Sequence, residues 1–164
     1  MYTNAVPWIA LAVSGLSVCF AGLAFWTSRE KLRLDLYNRR FDVYSRTLDF
    51  YHALLGWAPT QSEKGTASLQ DSPELIATQK AFIKASREAQ FLFKDGSGIK
   101  TQLEQVHEDS IGIIGLKRDV LPKLNGPELI PFNEKCDVCW KRFHEAIPSL
   151  EGKMSDYLDF HRIW

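Results

Sequence analysis

Cys136 and Cys139, three residues apart, are the side chains best spaced for chemistry in this 164-residue chain. Two such thiols can cycle between dithiol and disulfide if one is held as thiolate at a helix N-terminus. Alternatively they supply half of a tetrahedral zinc site. Here the pair falls inside a helical stretch, with Trp140 behind it and no strand ahead, so a thioredoxin-like unit is not indicated. Zinc requires two more ligands. His144 is the nearest, but on a helix it points roughly 140° away from Cys139. Cys136, Cys139 and His144 are thus the metal candidates, and a membrane-bound metal or thiol-redox protein is the alternative reading. The simpler reading is a pair of buried thiols kept reduced in a cytosol.

Other partial motifs fail on one residue each. Gly96-Ser97-Gly98-Ile99-Lys100-Thr101 has the look of a phosphate loop, but Ile99 stands where glycine must precede the lysine, and no strand precedes the turn. His107-Glu108 and His144-Glu145 are halves of a zinc-protease motif whose second histidine is replaced by Ile111 and Pro148. No G-x-S-x-G elbow is present. A site assembled from scattered groups such as Arg40, Glu104 and His107 would leave no spacing signature. The sequence therefore offers no motif-based catalytic set, no cofactor site and no evident small-molecule substrate; a non-enzyme is the favoured reading, with a site built from scattered groups left open.

The elements that hold these residues begin with an apolar one. Lys and Arg number 20, as do Asp and Glu, so the chain has no net charge to draw it to nucleic acid. That balance hides an asymmetry, because residues 1–28 carry no charged side chain. Trp8 to Trp26 is 19 residues without a charge, roughly 28 Å as a helix, which matches a bilayer's hydrocarbon thickness. Its two tryptophans suit the headgroup level. Arg29, Lys31, Arg33, Arg39 and Arg40 follow, while no basic residue precedes. The positive flank stays inside, so the expectation is a single-pass inner-membrane protein with its N-terminus outside and its C-terminal domain cytoplasmic. A cleaved signal peptide fits less well, since it would need a basic start and a shorter apolar run. Within the span, Ala12, Gly15, Cys19 and Gly22 form a small-residue stripe on which a second helix could pack. Arg29, Lys31 and Arg33 would meet anionic lipid headgroups.

Beyond residue 28 the pattern predicts a cytosolic bundle. Leu34, Tyr37, Phe41, Tyr44, Leu48, Tyr51 and Leu55 alternate spacings of three and four, a seam sustained over three heptads. Leu36, Val43 and Phe50 add a second apolar row, which suits a helix touching two neighbours. Arg40 falls inside that apolar arc, where it must snorkel, pair with a buried acid, or contact a ligand. Residues 56–72 read as a mobile connection. Ser72 and Pro73 then start a helix that stops near Lys94. A third helix runs from Ile99 to about Arg118 and a fourth from about Asn133 to Ile147, with Pro148 starting or kinking the last stretch. The expected architecture is all-α: an anchor over 1–28 and, over 29–164, an antiparallel bundle of about four helices.

Three segments carry a resemblance. Residues 31–44 (KLRLDLYNRRFDVY), Phe91-Leu92-Phe93 and Asp156-Tyr157-Leu158-Asp159-Phe160 are similar to successive signatures of an uncharacterised family of small bacterial all-α proteins, many of them membrane-anchored. The turn Lys94–Gly98 departs from that family's more compact form. The resemblance implies a bacterial cell and a helical fold, and it carries over no activity. The expected function is a protein-interaction or self-association module on a membrane tether, acting as adaptor, scaffold or component of a larger system. Its expected partners are membrane lipids and either another protein or a second copy, through Leu34, Tyr37, Phe41, Tyr44, Leu48 and Tyr51.

Overall fold

The computed structural model describes residues 5–63, 72–120, 123 and 129–159, and every element among them is helical. Helix α1 spans Ala5–Glu63, α2 Pro73–Leu92, α3 Ile99–Gly115 and α4 Leu129–Leu158, with a single π-helical turn, Leu116–Val120, continuing α3. The chain divides into two units, Met1–Asn38 and Arg39–Trp164.

In the first unit, between Leu11 and Trp26, α1 carries no charge and exposes its apolar side chains. Leu11, Val13, Leu16, Val18, Phe20, Leu23, Phe25 and Trp26 are each more than half exposed. Its polar atoms turn inward: Ser17 Oγ donates to Val13 O at 2.9 Å and Thr27 Oγ1 to Leu23 O at 2.8 Å. Among the described residues no helix is long and apolar enough to cross a membrane. The side chains of Trp8, Ile9, Ala10 and Ala12, which belong to the 8–26 stretch, lie outside those described.

The second unit is an up-down-up-down bundle, as its cross-contacts show. Arg40 meets Leu92 and Phe50 meets Phe82, so α1 and α2 run antiparallel. Lys153 meets Gly98, Ser149 meets Gln102, Arg142 meets Asp109 and Cys139 lies on Gly112, which sets α3 and α4 antiparallel in one unbroken register. Tyr51 against His144 and Arg40 against Tyr157 do the same for α1 and α4. Phe50 is the central knob. Its ring stacks on Phe82 at 5.0 Å and meets Phe143 edge-on at 6.4 Å, joining α1, α2 and α4.

Local chemistry explains the starts and stops. Ser72 Oγ accepts from Leu75 N at 3.1 Å, Pro73 sits at the first position, and Glu74 favours the positive helix end. Gly96 and Gly98 take φ of 84° and 71°, the left-handed region that lets the chain reverse between α2 and α3. Two boundaries differ from the sequence reading. Helix α1 passes Gly56 and Pro59 to end at Glu63, because Leu54 and Trp57 are still buried in the core and hold the chain helical. Residues 64–71 of the expected connection lie outside those described. Helix α4 starts earlier and runs through Pro148 without a break. The proline forfeits one backbone bond, offset by Ala146, Leu150 and Met154 burying on either side of it.

The core row of α1 also differs in position. Val43, Thr47, Phe50, Leu54 and Trp57 are buried, whereas Tyr37, Tyr44, Leu48 and Tyr51 are half-buried and Phe41 is 49% exposed. The two rows are centred roughly 120° apart on the helix. Phe50→Ala should therefore cost about 3–5 kcal/mol, and Phe41→Ala less than about 1 kcal/mol. Chemical denaturation of the two variants checks this; equal losses would place the core on the other row.

Candidate functional site

Arg40 is the residue around which the bundle's ends are gathered. Its Nε donates to Leu92 O at 3.0 Å, at the last residue of α2. The guanidinium carbon lies 5.0 Å from the Tyr157 ring centroid and 5.9 Å from that of Phe93. Those two rings meet edge to face at 5.2 Å. A delocalised, weakly hydrated cation is suited to such an aromatic corner, where an ammonium would lose more hydration than it regains. Burial lowers the Arg40 pKa, and Tyr157 acts in the opposite direction. Of the three roles open to Arg40, the structure selects a fourth arrangement: a carbonyl and two rings. These groups come from three segments far apart in the chain, with Arg40 on α1, Leu92 and Phe93 at the end of α2, and Tyr157 near the end of α4.

A second polar cluster lies between α3 and α4. Asp109 is 1% exposed. Its Oδ1 is 2.7 Å from Arg142 Nη2, and its Oδ2 accepts from Gln105 Nε2 at 2.9 Å. Arg142 Nη2 also lies 3.8 Å from Cys139 Sγ. The Asp109 carboxylate raises the Arg142 pKa. Cys139 is accommodated because residue 112 is glycine; a Cβ there would stand 3.1 Å from its sulfur. Beside it an open groove of about 510 Å³ is lined by Leu116, Pro131, Val138, Cys139 and Arg142. A smaller cavity of about 290 Å³ lies between Leu75, Ile76, Ile111 and Ile114, with Arg118 and Asp119 at its edge. Arg118 holds the Asp119 carboxyl below the usual carboxylate range.

The metal candidates are not assembled into a site. Cys136 is buried, Cys139 faces Gly112, and His144 Nδ1 is 2.9 Å from Tyr51 Oη with its ring beside Trp140. Among the described residues no three His, Cys, Asp or Glu side chains could hold a metal together. Burial pushes the Cys136 thiol up, the reverse of what a redox nucleophile needs. At the glycine turn, Lys153 Nζ bonds Gln102 Oε1 at 2.9 Å and approaches Gly98 O at 3.5 Å, while Lys100 stands 3.9 Å from Glu104. His107 lies against the Phe82 ring.

Sequence reasoning missed Asp109 and Arg142. The available signal was an acid beside the apolar row of Ile99, Leu103, Val106 and Ile113, four residues after Gln105. The row expected to form an interface lies on the flank of α1, and Arg29 and Lys31 are exposed while Arg33 stands 3.6 Å from Glu30. Gly15 and Gly22 have nothing within 4 Å of an added Cβ, and Cys19 is exposed. No protein-family model, curated protein or solved structure matches the chain.

Two measurements check this geometry. Arg40→Lys should destabilise the bundle by about 1–2 kcal/mol through loss of the Nε bond and the planar stacking, while Tyr157→Phe, which keeps the ring, should stay within about 0.5 kcal/mol. A larger loss in Tyr157→Phe would shift the weight to the hydroxyl. In native thiol titration, Cys136 should react only after denaturant is added; prompt reaction would contradict its burial.

Proposed function

We propose that the chain is a single-pass protein of the bacterial inner membrane, tethered through residues 8–26 with its N-terminus outside. Its cytoplasmic helical bundle binds another protein or a second copy of itself. The observation that carries this reading is the all-round exposure of eight large apolar side chains from Leu11 to Trp26 on a helix with no charge before Arg29. A helix on the surface of a bundle shows one apolar stripe; one that is apolar on every side belongs in lipid or in the centre of a large core. The inward-turned hydroxyls of Ser17 and Thr27 support the same reading, because a polar atom in hydrocarbon must find its partner within the helix. Arg29, Lys31 and Arg33 then stand where anionic headgroups lie. Gly15 and Gly22, with Cys19 exposed between them, leave room for a second helix in the bilayer.

The interaction part of the reading rests on the flank of α1. Phe41 is half exposed, and Tyr44 and Leu48 are only half covered by the bundle's own helices. An aromatic, incompletely buried row of this kind is the composition of an interface core. No catalytic constellation among the described residues competes with it.

The test combines extraction and crosslinking. In membranes the wild-type chain should resist alkaline extraction, and Leu16→Arg should release a measurable fraction, since a mid-span arginine costs about 2.5–3.5 kcal/mol on insertion. Crosslinks from the full-length chain should run through residues 37–51 to one partner or to itself, and Phe41→Asp should remove them without unfolding the bundle. Full extraction of the wild type would exclude the tether, and crosslinks unchanged in Phe41→Asp would exclude this face.

A further inference from the structure

The side of the bundle shared by α2 and α3 carries two rows of opposite charge. On α2, Lys80, Arg87 and Phe91 are exposed within an arc of roughly 40°, opposite buried Phe82 and Ala89. On α3, Glu104, Glu108 and Ile111 are exposed within an arc of roughly 60°, opposite buried Val106 and Ile113. Ile76 and Ile111, 37% and 51% exposed, flank the cavity that opens between the two helices. Within one copy no ion pair joins the rows among the described residues. Lys84 pairs with Glu88 and Lys100 with Glu104, each along its own helix and at 3.9 Å, while Lys80, Arg87 and Glu108 enter none.

The rows also match in height. Phe82 lies against His107, and Leu75 and Ile114 line the same cavity, so the two helices pass each other antiparallel in one register. By that register Lys80 is level with residue 109 and Arg87 with residue 102. Lys80 thus stands within about 3 Å of the height of Glu108, and Arg87 within about 3 Å of the height of Glu104.

We propose that this face binds a second copy of the chain, about a two-fold axis that runs along the bundle between α2 and α3. Such an axis preserves height and exchanges the rows, so each copy's α2 meets the other's α3. Lys80 and Arg87 of one copy then meet Glu108 and Glu104 of the other, twice over by symmetry. Ile76 of each copy meets Ile111 of the other and covers the cavity mouth. An acidic peptide would match α2 alone and leave the acids of α3 unused; a second copy uses both rows. A face two helices wide and about 25 Å long covers roughly 1,000 Å² in total, the lower end of what a specific pair needs. The surface is separate from the α1 flank, and the pairing requires no tether.

The full-length chain in detergent micelles is measured by sedimentation, both as wild type and with Phe41→Asp to remove the α1 flank. Lys80→Glu with Arg87→Glu should weaken the dimer about tenfold or more, and so should Glu104→Lys with Glu108→Lys. All four positions are exposed, so circular dichroism should show both variants folded. Mixed in equal amounts, the two variants should form a mixed dimer at wild-type strength or better, because one then carries two acidic rows and the other two basic rows. High salt should weaken the wild-type dimer in parallel. A monomeric wild type, a dimer indifferent to both reversals, or a mixture that stays monomeric overturns the proposal. Loss of the dimer in Phe41→Asp alone also overturns it, in favour of the α1 flank. None of these results depends on whether residues 8–26 cross a bilayer.

Discussion

The fold depends on one long helix whose surface changes character along its length. Over its first part α1 presents apolar side chains in every direction, and over its later part it buries a single face made by Val43, Phe50, Leu54 and Trp57. The change begins where charged residues enter, at Arg29, and a one-sided core face is established by Val43. Phe50 fixes the second regime. Stacked on Phe82 and crossed by Phe143, it brings three helices to one point, and Leu54 and Trp57 extend that contact into the core. Aromatic rings of this size keep helix axes apart, so α1 meets its neighbours through side chains, whereas Gly112 lets α3 and α4 approach closely.

Arg40 closes the same bundle at the α2–α3 reversal. A charged side chain inside an apolar arc is costly unless its donors and its face are both used. Here the Nε is used by the Leu92 carbonyl and the cation's face by Tyr157 and Phe93. The arrangement needs a residue from α1, the last turn of α2 and the end of α4, so three segments far apart in the chain meet at one point. The Asp109–Arg142 pair plays the corresponding part between α3 and α4, with the carboxylate inside and the guanidinium at the surface.

Much of this was legible in the residues. Helical periodicity without alternation predicted an all-α chain, and Ser72-Pro73 and Asp95-Gly96-Ser97-Gly98 marked the boundaries of α2 and α3. The choice of core row was not legible. Both apolar rows of α1 obey the same period, and only packing shows that Phe50 and Val43 point inward while the tyrosines, which keep a hydroxyl wet, lie to one side. Pro148 read as the start or kink of a last helical stretch because proline cannot complete the backbone bond, yet buried Leu150 and Met154 carry α4 through it. Arg40 was singled out by its position on the wheel, but its partners lie 52 and 117 residues away in the chain and no spacing connects them.

The central claim is that residues 8–26 cross a bilayer, and native Cys19 near the middle of that stretch is the probe. With Cys136 and Cys139 replaced by alanine, a nitroxide on Cys19 in reconstituted membranes is measured for relaxation by oxygen and by a water-soluble nickel chelate. High oxygen and negligible nickel accessibility, the signature of the hydrocarbon interior, is the expected result. Ready access of the nickel chelate to Cys19 would place the segment in water and contradict the account.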